Sequence, residues 1–177
     1  EWSISSSSIS VTVNPNPTAV TVSGGGTQCG GSRILTASGG TGGTIYYQGT
    51  TSNGISTANA LTTKTVSTSG TYYFRSRSSA GCWGEQGSAT VTINAEPAAT
   101  TVSGGGSFCG SAILTATGGS GGTIYYQGTI SNGISTIYPT TSFTVSTSGT
   151  YYFRSRSSAG CWGEQGSAIV TITPNAS

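Results

Sequence analysis

Residues 65–89 read TVSTSGTYYFRSRSSAGCWGEQGSA, and residues 144–168 repeat those letters without a change. Alternation through the middle of this stretch marks a β-strand. Tyr72, Phe74 and Ser76 share one face, and Tyr73, Arg75 and Arg77 share the other. Turning the arginines to solvent puts Tyr72 and Phe74 in a core, with Leu35, Ala37, Val66 and Val91 as expected companions. A verbatim copy 79 positions downstream also makes the chain a tandem repeat. The function of such a chain is expected to be a property of the array, such as reach, stiffness and display.

The repeat extends outward from this block. Val22 to Gly26 returns as Val102 to Gly106, and Cys29 returns as Cys109. One residue is lost after that cysteine, so Ile34 to Ala37 becomes Ile113 to Ala116 and Thr44 to Gly49 becomes Thr123 to Gly128. Each unit is about 80 residues, enough for one small core. The expected organisation is a first repeat over 14–94, a second over 95–174, and the start of a linker at 175–177. Residues 8–13 (SISVTV) align with 88–93 (SATVTI), so 1–13 is read as the closing strand of a preceding, truncated repeat. Asn14-Pro15-Asn16-Pro17 and Asn94-Ala95-Glu96-Pro97 are short linkers, in which proline removes a donor and restricts the hinge.

Composition narrows the function. Charged residues make up 6% of the chain, against roughly 25% in an ordinary soluble domain. A net charge of +2 without a basic run gives no footprint for nucleic acid or an anionic membrane, and no apolar run reaches the ~18 residues of a membrane-spanning helix. With no Asp and no His there is no Ser-His-Asp triad, no His-containing zinc site and no Asp-rich calcium loop. The glutamates are Glu1, Glu85, Glu96 and Glu164, which leaves one equivalent carboxylate per unit and no paired-carboxylate site within one. The expectation is a protein that is not an enzyme and holds no metal or cofactor. Four cysteines at matching positions point to oxidation outside the cytoplasm.

Short β-branched and aromatic runs recur every 8–12 residues or so, as in an all-β sandwich. In the first unit strands are expected near 18–23, 33–38, 44–49, 54–57, 62–67, 71–78 and 88–94. Asn53-Gly54 and Asn132-Gly133 read as tight turns, since Asn and Gly tolerate positive φ, and Gly39 to Gly43 as a flexible loop.

Ser69-Gly70-Thr71-Tyr72-Tyr73 followed by Cys82 resembles the sixth strand of an immunoglobulin-like domain. The whole unit, with its SGGG…C, ILTA, GGTIYYQG and SGTYYFR…GCWG segments, resembles the tandem Ig-like modules of very large Bacteroidota cell-surface proteins. Those include gliding and adhesion proteins exported by the type IX secretion system. The resemblance implies Ig-like β-sandwiches arranged end to end in a bacterial adhesin or surface filament. One departure is plain: antibody domains bridge the second and sixth strands mid-core, whereas Cys29 precedes strand two and Cys82 follows strand six.

Two cysteine connectivities remain open. Pairing within units, Cys29–Cys82 and Cys109–Cys161, closes loops of about 53 residues worth roughly 4 kcal/mol on the chain-entropy model. In an Ig sandwich, however, those positions lie at opposite poles. Eight strand residues at ~3.3 Å separate the poles by about 26 Å, while a disulfide spans Cα atoms only ~4.4–6.8 Å apart. The alternative is an inter-repeat bond, Cys29–Cys161, which leaves Cys82 and Cys109 for neighbouring units.

The remaining features each carry two readings. Arg75 and Arg77, with Arg154 and Arg156, form an outward pair per unit beside Glu85 or Glu164. That pair reads as a surface salt bridge or as a stripe for acidic polysaccharide. Trp83 and Trp162 cover a disulfide, pack a unit junction, or stack on a sugar; Tyr46 and Tyr125, expected to be exposed beside buried Tyr47 and Tyr126, are further candidates for glycan contact. Ala58, Asn59, Ala60 and Lys64 become Ile137, Tyr138, Pro139 and Phe143, so any unit-specific contact should map there. The expected function is a structural spacer or stalk of an extracellular, cell-surface repeat protein. Its partners are neighbouring repeats, with no membrane insertion and no nucleic acid. The alternative is a glycan- or surface-polymer-binding module.

Overall fold

A computed structural model of the chain describes residues 7–173. The described residues contain fourteen strands and no helix. The first seven are β1 (Val20–Ser23), β2 (Gly26–Cys29), β3 (Arg33–Gly39), β4 (Thr44–Tyr47), β5 (Thr63–Val66), β6 (Gly70–Arg77) and β7 (Gly87–Asn94). The second seven repeat them: β8 (Thr100–Ser103), β9 (Gly106–Cys109), β10 (Ala112–Gly118), β11 (Thr123–Tyr126), β12 (Ser142–Val145), β13 (Gly149–Arg156) and β14 (Gly166–Thr173).

Each set makes a three-stranded and a four-stranded sheet, β1-β3-β5 with β2-β7-β6-β4, then β8-β10-β12 with β9-β14-β13-β11. This is the strand order of an immunoglobulin-like sandwich. Its first strand is split: β8 pairs antiparallel with β10, and β9 crosses to the other sheet and runs parallel to β14. The Gly-Gly-Gly between the halves makes that crossing. Gly24 has φ +93, and a Cβ there would lie 2.1 Å from the Ile34 carbonyl oxygen. Alternation in the sequence missed β2, because four residues containing a glycine show no period and become a strand only through their neighbour.

The described chain divides into two compact units. One contains Ser32–Thr92, and the other contains Ile93 onward together with Thr27–Gly31. The cysteine-bearing end of β2 therefore belongs with the second unit. Ser7 to Val13 form no strand; Ile9 and Val13 are 87% and 84% exposed. The same alternation in β7 buries Ala89 and Val91 because β6 hydrogen-bonds alongside it. Residues 1–6 and 174–177, which carry the rest of the truncated-repeat and linker expectations, lie outside the described residues.

The first core is the expected one. Leu35 and Phe74 are fully buried, with Ala37, Val66, Tyr72 and Val91 around them. Leu114, Phe153, Tyr151 and Val170 recur in the second. Tyr72 donates its hydroxyl proton to the Thr68 carbonyl at 2.8 Å, and Tyr151 does the same to Thr147 at 2.7 Å. This is the tyrosine corner of Ig-like domains. Two residues on, where an antibody domain has its second core cysteine, stands Phe74 or Phe153.

Two further expectations change and one holds. Residues 54–57 are a loop, because buried Gln48 grips it: its side-chain amide donates to the Ser56 carbonyl and accepts from the Ser56 N–H, both at 2.9 Å. The expected tight turn at Asn53-Gly54 is present: Asn53 has φ +53 and the Gly54 N–H donates to the Thr51 carbonyl at 3.3 Å, with Asn132 and Gly133 repeating it. The Gly39–Gly43 loop is tied down: Ser76 Oγ, fully buried, donates to the Gly40 carbonyl at 2.9 Å.

Candidate functional site

The loop after β6 follows from its sequence. In Ser78-Ser79-Ala80-Gly81-Cys82, the Ser78 N–H donates to the Cys82 carbonyl at 2.9 Å, and Ser78 Oγ accepts from the Cys82 N–H at 3.1 Å. Gly81, at φ +90, closes this short hairpin. The chain then returns beside β6, where Trp83 bridges to Arg77. The second unit builds the same loop, with Ser157, Gly160, Cys161 and Trp162.

Trp83 sits in a cluster of its own unit's side chains. Tyr46 meets it edge-on at 5.8 Å between ring centroids, and the guanidinium carbons of Arg75 and Arg77 lie 5.6 and 5.8 Å from its ring centre. Tyr125, Arg154 and Arg156 surround Trp162 in the same way. The structure thus joins the four sequence candidates as two pairs, Tyr46 with Trp83 and Tyr125 with Trp162. Tyr46 and Tyr125 are half-buried, not exposed, and Tyr47 is half-buried whereas Tyr126 is buried.

The arginines do not form the expected salt bridges. Arg75 Nε donates to the Gly84 carbonyl at 2.7 Å and Arg154 Nε to the Gly163 carbonyl at 2.6 Å. Among the described residues neither pairs with Glu85 or Glu164. A guanidinium held against an indole and a carbonyl is a brace for the loop that carries Cys82 or Cys161.

Beside each Trp runs a polar groove. In the first unit it measures about 520 Å³, lined by Asn16, Asn53, Arg75, Trp83, Glu85 and Gln86. In the second it measures about 420 Å³, lined by Glu96, Asn132, Arg154, Trp162, Glu164 and Gln165. Gln86 fixes one wall, accepting from the Asn53 N–H at 2.5 Å and donating to Ser52 Oγ at 2.9 Å. Sequence reasoning missed these glutamines and the Gln48 clamp; their identical recurrence as Gln165 and Gln127 was the available signal. One exclusion is corrected as well. The linker brings Glu96 into the same groove as Glu164, so two carboxylates do share one site. Both are exposed, and the first unit has Asn16 in place of Glu96. Among the described residues no three His, Cys, Asp or Glu side chains gather as a metal site, and no helix is long and apolar enough to cross a membrane.

Of the two cysteine pairings the structure contains Cys29–Cys161, with Cα atoms 5.5 Å apart. Cys82 and Cys109 are free thiols, so neither intra-repeat bond is present. Beside the bond, the Gly30 N–H donates to the Asn94 carbonyl at 2.9 Å.

Tyr47 and Tyr126 have phenol pKa values raised above 10.0, first by burial and second by the neighbouring Tyr72 or Tyr151.

No known family profile matches this chain, and no curated protein does. Among solved structures it is similar to a chain of the complex between a mouse coronavirus receptor-binding domain and its murine receptor, at 10% identity and a TM-score of 0.47 over 87% of this chain and all of that one. It is similar to the N-terminal four Ig domains of Dscam1 isoform 8.4 at 16% identity and a TM-score of 0.33, covering 94% of this chain but 46% of that one. The fibronectin(III)-like modules of Clostridium thermocellum CbhA match at 14% identity and a TM-score of 0.37, over 88% and 94% of the two chains.

Proposed function

We propose that this chain is a pair of structural spacer modules in an extracellular, cell-surface repeat protein, giving reach and stiffness to a stalk or filament. The observation that carries this reading is the Cys29–Cys161 bond, which ties the first sequence repeat to the second through elements that both repeats possess. The Trp-Arg-Tyr clusters support it. Their faces are taken up by side chains of the same unit, and their hydrogen bonds brace the cysteine loops. An extracellular setting suits a chain with a disulfide. The sequence resemblance adds a bacterial adhesin exported by a type IX system as the setting.

Small-angle scattering on the intact chain and on Cys29→Ser/Cys161→Ser tests the proposal. The bonded chain is expected to give one narrow distribution of maximum dimension. The variant is expected to broaden it while keeping the circular dichroism of folded sheets. An unchanged distribution would remove the mechanical role.

The second reading, glycan binding, is favoured by the repeated polar groove with a Trp wall. It predicts saturable binding on a glycan array that disappears in Trp83→Ala/Trp162→Ala.

A further inference from the structure

We propose that Asn53 and Asn132 are sites of self-modification, converting to aspartate or isoaspartate by attack of the next glycine's nitrogen, and that Gln86 and Gln165 set the rate.

The chain contains two Asn-Gly pairs, and each stands at the same point of its unit. The backbone accounts for both residues of the pair. Asn53 has φ +53 and Asn132 φ +54, a left-handed region that asparagine tolerates. A side chain on Gly54 would place its Cβ 2.6 Å from Gln48 Oε1, and Gly133 meets Gln127 at the same distance. The fold therefore selects a glycine after the asparagine, and a glycine leaves the nitrogen unshielded by any side chain of its own.

The reacting groups are held unequally. Asn53 is exposed, and its carboxamide takes no hydrogen bond among the described residues. The backbone around it is anchored. The Asn53 N–H donates to Gln86 Oε1 at 2.5 Å, and Gln86 Nε2 donates to Ser52 Oγ at 2.9 Å. Arg75 Nη1 donates to the Asn53 carbonyl at 3.3 Å. Gly54 is buried, and its N–H donates to the Thr51 carbonyl at 3.3 Å. Gln165, Ser131, Arg154 and Ile130 repeat this arrangement around Asn132 and Gly133.

Ring closure requires the Gly54 N–H to leave Thr51 and give its proton to a solvent base. The nitrogen then bonds to Asn53 Cγ, the Cγ–Nδ2 bond breaks, and Nδ2 departs as ammonia. Water opens the resulting succinimide at Cγ to give aspartate, or at the former backbone carbonyl to give isoaspartate. One water enters and one ammonia leaves, with no change of oxidation state. Amide hydrogen exchange begins with the same loss of the Gly54 proton, so local opening of this loop governs both processes. Gln86 touches neither reacting atom; it is a positioning residue that holds the loop shut. Each conversion adds one negative charge beside the polar groove of its unit, and two conversions bring the net charge of +2 to zero.

The test incubates the intact chain in mildly alkaline buffer, folded and in urea. Both sites are followed by peptide mapping, with isoaspartyl methyltransferase labelling the isoaspartate. In urea the two sites are expected to convert at equal rates, and folding should slow both by about tenfold or more. Gln86→Ala removes two hydrogen bonds and should raise conversion at Asn53 about tenfold, leaving Asn132 unchanged. Gly54 amide exchange should rise by the same factor. Gln165→Ala should do the converse, and Gln86→Glu, which keeps an oxygen for the Asn53 N–H, should give a smaller increase. Equal rates in the folded chain and in urea would overturn the inference. So would a Gln86→Ala chain in which Asn53 keeps its rate while Gly54 exchange rises, or one in which both sites accelerate together, the mark of general loosening.

Discussion

The stretch from Ala58 to Lys64 in the first repeat and its counterpart from Ile137 to Phe143 solve the same problem with different chemistry. Each covers the second tyrosine of a Tyr-Tyr pair. In the first repeat Lys64 extends its ammonium over the Tyr47 ring, 5.4 Å from its centre. In the second, Phe143 stacks on Tyr126 at 3.8 Å and 14°, with Tyr138 edge-on to both. The consequence is visible one strand away: Tyr126 and Ile124 are each 8% exposed, while Tyr47 and Ile45 are only half-buried. An identical frame therefore carries a dry lid in one unit and a wet one in the other. The sequence identified this region as the place where the units diverge, and the structure assigns the divergence to the packing of each unit's own core.

The comparison can be tested by substitution, reading native-state hydrogen exchange in β3 for the first unit and β10 for the second, since β6 and β13 have identical sequences. The largest effect should be common to both units. Phe74→Ala and Phe153→Ala each remove a fully buried ring and are expected to cost about 3–5 kcal/mol in their own unit. A marked inequality would mean that the frames are not equivalent.

Exchanging the lids comes next. Phe143→Lys should destabilise the second unit by about 1–2 kcal/mol, and Lys64→Phe should stabilise the first by somewhat less, since its neighbours are smaller. No change in β10 protection on Phe143→Lys would break the comparison.

A smaller gain is expected from Thr100→Val. Thr100 is 3% exposed and its hydroxyl has no hydrogen-bond partner among the described residues, while the equivalent Val20, also 3% exposed, has no hydroxyl. Removing the stranded hydroxyl should stabilise the second unit by about 1 kcal/mol.

The last prediction has no effect at neutral pH. The Tyr47 and Tyr126 phenols have raised folded pKa values, so folding favours their neutral forms. Their contribution is full below the unfolded value near 10 and is lost as pH rises through the higher folded values. Urea midpoints should fall with tyrosinate absorbance above pH 10, and a midpoint that stays level through that range would show no such linkage.

The sandwich and its core faces were legible because they rest on two-residue alternation, which Tyr72, Phe74, Ala89 and Val91 keep without interruption. What escaped was set by side chains gripping backbone. Residues 54–57 have the β-branched content of a strand, yet two hydrogen bonds from Gln48 settle their path. The pairing of arginine with glutamate followed from charge alone. A guanidinium beside both an indole and a carbonyl found the better partners. Glu96 was assigned to a linker by its place between repeats, and the fold of that linker brought it beside Glu164. The cysteine pairing stayed undecided in the sequence because it depended on which strand ends share a pole.

Leu35 and Phe74, and their copies Leu114 and Phe153, have a consequence for the order of assembly. Hydrocarbon fills the middle of each sandwich where an antibody domain relies on a sulfur bridge, so every bead can complete its fold in a reducing milieu. A reductant such as dithiothreitol should open Cys29–Cys161 without melting either hydrocarbon core.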